Sequence, residues 1–295
     1  MNKFLTIITL LLITLSCGGD EGDDPISKKE ISPRNVIILL DLSDRLILNQ
    51  NQIELDKQLI GSIAGIYLKT IKDTIVKYDK DFSLIKDKFS VRIADQKNSI
   101  INKDQYENNL QFDFKSNKKD NYKFILQEFV PLLNNEIDKL YTEASLSKIP
   151  EEYSGADIWK FFNDDLEPML DNSPNAKNYL IILTDGYLYF EDYKGKVESS
   201  NRRTDMKFLN NLRDKNWEET FENQDLGLIK PNKSFPNLKV AVMEVQPKDF
   251  WNEYDLIKKV WGKWFQEMKI KPDSYLIQKS GNSNSSKQVI NDFLK

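Results

Sequence analysis

Two aspartates that follow apolar runs are the residues of this sequence best placed to do chemistry. The first run, Val36–Leu40, ends at Asp41, and the second, Tyr179–Thr184, ends at Asp185. Apolar runs of this length, rich in β-branched residues and leucine, are typical of central parallel strands that are buried on both faces. Because ligands bind at the carboxyl ends of the strands in open α/β sheets, we expect the two aspartates to form one site.

Alternating strand and helix patterns surround these runs and predict the fold class. Helical patterns cover 52–78, 121–143, 158–170, 203–221, 252–268 and 287–294, and further strand patterns cover 88–94, 111–114, 238–245 and 274–278. Such alternation is typical of α/β proteins, in which helices cover both faces of a sheet. We therefore expect residues 33–295 to form one domain, a Rossmann-like three-layer sandwich with a mostly parallel central sheet.

The amino terminus has the pattern of a targeting segment. Lys3 precedes the apolar stretch Phe4–Leu15, which is too short to span a bilayer, and Ser16 and Cys17 follow. This pattern resembles a bacterial lipoprotein signal peptide, although Thr14 stands where that family usually has an aliphatic residue.

The resemblance implies that residues 1–16 are a signal peptide and that Cys17 is acylated, for example with palmitate. An ordinary signal peptide with Cys17 in a spacer is the alternative. Residues 17–32 are rich in glycine and acidic residues and poor in apolar ones, which favours a flexible acidic tether. The expected location is therefore the bacterial cell envelope, with a lipid anchor in the outer membrane and the domain facing the periplasm or the cell surface.

The composition excludes several classes of function. The chain has no histidine, which excludes Ser-His-Asp and Cys-His catalysis and histidine metal ligation. Its only cysteine is Cys17, so no internal disulfide is expected. The formal net charge is −4, with 42 basic and 46 acidic residues, whereas nucleic-acid binding needs a basic surface. The expected partners are a membrane and another macromolecule, no nucleic acid, and the oligomeric state stays open.

Three short motifs resemble those of the von Willebrand factor A family. They are Asp41-Leu42-Ser43-Asp44-Arg45, Ser154-Gly155-Ala156-Asp157 and Thr184-Asp185-Gly186. In that family an Asp-x-Ser-x-Ser turn, a threonine on a second loop and an aspartate on a third loop bind a divalent cation. The resemblance implies a von Willebrand factor A-like domain in which Asp41, Ser43 and Asp185 hold Mg²⁺ or another divalent cation, since such ions take oxygen ligands.

Two positions depart from the pattern of this family. Arg45 stands where the second serine belongs, and Ala156 replaces the threonine and has no side-chain oxygen. A guanidinium repels a metal ion and can instead pair with Asp41 or Asp185. The sequence therefore leaves open a divalent cation site and a metal-free, ion-paired site. The residues expected to bind a partner or to form ion pairs are Arg45, Asp44, Ser154, Asp157, Thr184, Tyr187 and Tyr189.

The expected function is binding without catalysis, with a protein or glycan partner engaged at the strand ends. Tyr187 and Tyr189 can anchor such a partner, or else they pack a short hairpin. An aspartate after a strand also often caps the next turn or helix, which is the structural alternative for both aspartates. The enzymatic alternative is a metal-dependent phosphohydrolase of the haloacid dehalogenase type with Asp41 as nucleophile, although Ser43 stands where that family has its second aspartate. A scaffold that uses a different face is a further alternative.

Overall fold

Most of the chain beyond residue 30 is described by the computed structural model, which covers residues 31–48, 51–78, 84–97, 99–114, 123–146, 155–190, 197–199, 201–213, 216–248 and 252–295. All of these except Ile31 belong to one compact unit, Ser32–Lys295. The predicted signal peptide, Cys17, most of the predicted tether and Ser154 lie outside the described residues.

A six-stranded sheet forms the centre of this unit. The strands, in chain order, are β1 (Arg34–Leu40), β2 (Lys88–Ile93), β3 (Gln111–Asp113), β4 (Gly155–Ala156), β5 (Lys177–Leu183), β6 (Tyr189–Phe190), β7 (Val197–Ser199), β8 (Arg202–Arg203), β9 (Gly227–Leu228), β10 (Leu238–Val245) and β11 (Tyr275–Lys279). The central sheet has the order β11-β10-β5-β1-β2-β3, and β3 alone in it runs antiparallel to its neighbour. The predicted mostly parallel sheet is therefore confirmed.

The helices lie on both faces of the sheet. They are α1 (Arg45–Leu48), α2 (Gln52–Lys77), α3 (Lys103–Asn109), α4 (Phe129–Ala144, preceded by a π-helical turn at Phe124–Glu128), α5 (Ile158–Lys160, a π-helical turn at Phe161–Asp165, and Leu166–Met169), α6 (Trp217–Asn223), α7 (Glu253–Glu267) and α8 (Ser283–Phe293). None of the helices in the described segments combines the length and the apolar character needed to cross a membrane.

Strand β1 shows why the fold has three layers. Val36, Ile38 and Leu40 pack into a core with α2, α4 and α8, whereas Ile37 and Leu39 pack into a second core with α5, α6 and α7. Successive side chains of a strand point to opposite faces, and here both faces are covered. The apolar run therefore needs no alternation of polar residues, and the predicted three-layer α/β sandwich is confirmed.

One predicted helix, 203–221, is wrong. The structure has β8, a 3₁₀ turn at Lys207–Asn211 and the short helix α6 in this region. The Asp205 carboxylate accepts hydrogen bonds from Arg203 Nε and from the Lys207 N–H, both at 3.0 Å, and so closes a turn. The apolar residues of the segment pack into the core from separate turns. Their spacing in the sequence is nevertheless close to that of an amphipathic helix.

The register of the sheet determines which loops meet. Leu40 of β1 lies beside Leu183 of β5, and Leu183 lies beside Met243 of β10. Because the three strands are parallel, the residues that follow them share the carboxyl edge of the sheet. The loop after β1 is consequently flanked by the loops after β5 and β2.

Candidate functional site

Asp41 joins the ends of β1 and β5. It is 1% exposed, and its main-chain N–H donates to the Leu183 carbonyl at 3.0 Å. Its Oδ2 accepts a hydrogen bond from Thr184 Oγ1 at 2.7 Å, and its Oδ1 accepts one from the Ser43 N–H at 3.0 Å. Both carboxylate oxygens therefore have donors from the two strand ends.

Asp185 is the second buried carboxylate at this edge, with 5% of its surface exposed. Its Oδ1 accepts from the Tyr187 N–H at 3.0 Å, and its Oδ2 lies 3.3 Å from Lys248 Nζ. Burial, reinforced by the negative charge of Asp41, raises the pKa of Asp185 to about 6, although Lys248 acts in the opposite direction. The charge of Asp41 thus acts on Asp185, which places the two carboxyl groups in one electrostatic environment.

Each aspartate also closes the turn that follows its strand. In both cases a side-chain oxygen accepts from the N–H two residues later, which is the Asx turn. Gly186, inside the second of these turns, has φ 97°, and an added Cβ would lie 2.8 Å from Val245 Cγ1. The local sequence Thr-Asp-Gly therefore suits a tight turn packed against β10.

Arg45 is buried behind this turn, with 2% of its surface exposed. Its Nε donates to the Asp41 main-chain carbonyl at 2.7 Å, and its two terminal nitrogens donate to the Asp56 carboxylate at 3.3 and 2.6 Å. Burial disfavours the charged guanidinium, but Asp56 and Asp41 outweigh it and raise the pKa of Arg45. The expected pairing of Arg45 with the side chain of Asp41 or Asp185 is wrong, because α2 supplies a nearer carboxylate in Asp56.

Asp56 lies at the centre of a buried polar network. Besides Arg45 it accepts hydrogen bonds from Gln52 Nε2 at 2.8 Å and from the Tyr141 hydroxyl at 2.7 Å. Gln52 in turn accepts a hydrogen bond from Gln246, which follows β10. The network thereby ties the turn after β1 to α2, α4 and the loop after β10.

The residues present fit an ion-paired site better than a divalent cation site. A guanidinium and an ammonium, Arg45 and Lys248, already lie next to the two carboxylates, and Ala156 offers no side-chain ligand. In the described segments of the chain, no group of three or more acidic, histidine or cysteine residues is arranged to hold a metal ion. Like charges close to a hard cation oppose its binding.

The second loop of the predicted site leads into α5. Strand β4 pairs antiparallel with β6, and Gly155 in it has φ 77° and passes so close to the Tyr189 carbonyl that an added Cβ would collide. Asp157 accepts a hydrogen bond from the Lys160 N–H at 2.8 Å and so caps α5, while its own N–H donates to the Asp95 carbonyl. Asp157 is thus placed beside the loop after β2 and acts as a helix cap.

Four exposed or half-buried residues follow the strands at this edge, and we call Asp44, Tyr187, Tyr189 and Lys248 the strand-end rim. Lys248 Nζ lies 4.7 Å from the ring centre of Tyr187, and the Tyr187 hydroxyl accepts from the Lys248 N–H at 3.1 Å. Tyr189 is 39% exposed in β6. Burial opposes the charge of Lys248, but the negative charges of Asp185 and Asp44 raise its pKa.

The sequence pointed to Asp41, Thr184 and Asp185, which the structure places side by side, but it did not point to Asp56 or Lys248. Asp56 was detectable as a charged residue on the apolar face of α2, in helical register with Leu59 and Ile63. Lys248 follows β10 at the same edge as the two aspartates, so the strand-end argument applied to it as well.

Comparison with known proteins gives structural alignments at low sequence identity. No protein-family model and no curated protein sequence matches the chain. Two crystal structures of the pilus adhesin SpaC from Lactobacillus rhamnosus GG align with 10% identity over 90% of this chain, with TM-scores of 0.46 and 0.44. The chain spans 30% of the length of that adhesin.

A further solved structure, an aerotolerance-related membrane protein from Bacteroides fragilis with multiple mutations to serines, aligns with 13% identity and a TM-score of 0.35. That alignment covers 89% of this chain and 98% of the other.

Proposed function

We propose that this protein is a non-enzymatic binding domain of the bacterial cell envelope, anchored by a lipid on Cys17, that engages a protein or glycan partner at the strand-end rim. The observation that carries the proposal is the buried pair Asp41 and Asp185 at the carboxyl edge of the sheet, beneath that rim. Burying two acidic groups side by side is costly, and a carboxylate with a raised pKa, such as Asp185, is typical of functional sites.

The chemistry of the rim supports a macromolecular partner. Tyr187 and Tyr189 present aromatic faces with a polar tip, and tyrosines of this kind are enriched at binding interfaces. Lys248 lies over the Tyr187 ring and interacts with the charge of Asp44, which gives a partner both polar and apolar contacts. Pairing of β4 with β6 fixes the position of Tyr189.

The proposed site works without a resident divalent cation, because Lys248 pairs with Asp185 and the Asp41 carboxylate accepts hydrogen bonds from Thr184 and Ser43. The phosphohydrolase alternative has less support. An attacking carboxylate must reach phosphorus, whereas Asp41 is 1% exposed and both its oxygens accept hydrogen bonds. Ser43 also lacks the acidic group that the second position of such enzymes requires.

Site-directed photo-crosslinking in cells tests the proposal. A photo-reactive amino acid replaces Tyr189 in the rim, and a matched variant carries it at Val76, which is 76% exposed near the far end of α2. Val76 lies about 36 Å along the helix axis from Gln52, at a rise of about 1.5 Å per residue. We expect a crosslinked product of defined mass at position 189 and none at position 76.

Chelation separates the metal-free site from the cation site. With EDTA present during irradiation, we expect the yield of the position 189 crosslink to be unchanged, and added Mg²⁺ should not raise it. A yield that collapses in EDTA and returns with Mg²⁺ would establish a cation-dependent site. Equal crosslinking at both positions, or none at position 189, would contradict the proposed function.

A further inference from the structure

A polar groove lies at the amino edge of the central sheet, opposite the strand-end rim. It has a volume of about 840 Å³ and is formed by the segments that enter β5 and β10, together with the 3₁₀ turn before β11. Lys177 is the first residue of β5, and Leu238 is the first of β10, which fixes the groove at this edge. The groove is thus separate from the buried carboxylates.

The groove carries an excess of positive charge. Lys177, Lys239 and Lys271 line it with exposed side chains, and no carboxylate within the described segments pairs with them. The acidic residues of the groove already have partners. Glu167 pairs with Lys233, and Asp171 lies 3.0 Å from Lys88. These three lysines therefore have no carboxylate partner among the described residues, although Lys239 Nζ lies 5.5 Å from the ring centre of Tyr179, and they sit on one side of a protein with a net charge of −4.

The compact unit begins beside the same groove. Ser32 lines it, and residues 17–32 form the predicted tether. A chain of fifteen residues reaches at most about 50 Å when fully extended. If Cys17 carries a lipid, a membrane surface is therefore within reach of this edge.

We propose that this groove binds the phosphate groups of anionic membrane lipids through Lys177, Lys239 and Lys271. This inference rests on the envelope location in the proposed function, but not on the strand-end rim. Juxtamembrane lysines attract an anionic bilayer with about 1 kcal/mol each, which corresponds to about fivefold in affinity per lysine. Binding here would turn the opposite edge, with its rim, away from the membrane.

Vesicle sedimentation tests this proposal without the lipid anchor. The mature chain with Cys17→Ser is mixed with vesicles of phosphatidylcholine and phosphatidylglycerol in equal parts, or of phosphatidylcholine alone. We expect binding to the anionic vesicles only, weakened by added salt because screening shortens the range of the attraction. The triple variant Lys177→Gln, Lys239→Gln and Lys271→Gln should lower the affinity about a hundredfold, at about fivefold per lysine.

A matched control removes three exposed lysines elsewhere, Lys258→Gln, Lys259→Gln and Lys279→Gln, which changes the net charge equally. We expect this variant to bind the anionic vesicles nearly as well as the parent chain. Equal losses in both triple variants would overturn the groove as the site. Binding to heparin or inorganic phosphate without binding to anionic vesicles would show that the groove does not bind membrane lipids, and would overturn the proposal. Rim crosslinking is scored separately, so the two proposals can fail independently.

Discussion

The surroundings of Asp185 disfavour the charged form of its carboxyl group. Burial and the charge of Asp41 raise its pKa to about 6 in the folded state, from an ordinary value of 3.8. Between these values the folded state binds the proton more tightly than the unfolded state does. The free energy of unfolding therefore falls as the pH rises through this window. Above it, the folded state bears the full free-energy cost of keeping the Asp185 carboxylate ionised.

Asp185→Asn should consequently stabilise the protein at neutral pH. The amide keeps the shape and the acceptor for the Tyr187 N–H but removes the charge. We expect a gain of about 1–3 kcal/mol near pH 8 that disappears near pH 4, from about 1.4 kcal/mol per pKa unit. Urea unfolding at several pH values measures this difference, with Asp73→Asn on the exposed face of α2 as control.

The prediction depends on the difference between the parent and the Asp185→Asn variant, because the pKa values of other buried acids are raised as well. Burial raises the pKa of both Asp157 and Asp87, for example. If the parent and the variant lose stability in parallel between about pH 4 and pH 8, the charge of Asp185 has no cost and the prediction fails.

At the scale of elements, the buried ion pair between Arg45 and Asp56 connects the turn after β1 to α2. Tyr141 adds a hydrogen bond from α4 to the same carboxylate. Removing one partner of a buried pair leaves an uncompensated charge, which costs about 3–5 kcal/mol. This pair therefore holds three elements at the carboxyl edge in one arrangement.

Arg45→Met should destabilise the protein by about 3–5 kcal/mol, since it leaves Asp56 charged and buried without its cation. Adding Asp56→Asn to that variant should recover part of the loss, because the uncompensated charge is then gone. Urea unfolding of the two single variants and the double variant gives the coupling. Arg213→Met, at an exposed arginine, serves as control and should change stability by less than about 0.5 kcal/mol. Additive losses in the double variant would contradict the pairing.

How far the sequence predicts these elements depends on whether a signal is local. The apolar runs of β1 and β5 and the periodic face of α2 are local patterns, and the structure has each element where its pattern predicts it. The segment 203–221 failed because Asp205 closes a turn that apolar spacing does not reveal.

The candidate site shows the same limit. The parallel order of the strands suffices to bring Asp41 and Asp185 together, so the strand-end argument finds them. The partner of Arg45 depends on how α2 packs under the turn after β1, and Tyr141 approaches Asp56 from 85 residues further along the chain. Side-chain pairing of this kind is set by tertiary packing and leaves no periodic pattern in the sequence.

At the scale of the whole molecule, the two edges of the sheet differ in chemistry. The carboxyl edge holds buried acids beneath an aromatic rim, and the amino edge holds exposed lysines where the chain enters at Ser32. The seven residues of β1 span about 23 Å at about 3.3 Å per residue, which separates the two surfaces. A membrane at one edge would therefore leave the other accessible to a partner.

This arrangement requires the lipid on Cys17. Mass spectrometry of the mature amino terminus should show residues 1–16 removed and Cys17 acylated, and the protein should fractionate with membranes. Two acyl chains bury enough methylene groups, at about 0.8 kcal/mol each, to anchor a protein stably. Cys17→Ser should move the protein to the soluble fraction once the membranes are washed with high salt, which screens the attraction between lysines and anionic lipids. Thr14→Leu, which restores the aliphatic residue usual in lipoprotein signals, should process at least as efficiently. An unmodified cysteine, or a Cys17→Ser chain that stays fully membrane-bound after the high-salt wash, would exclude the anchor and leave the strand-end rim to be tested on its own.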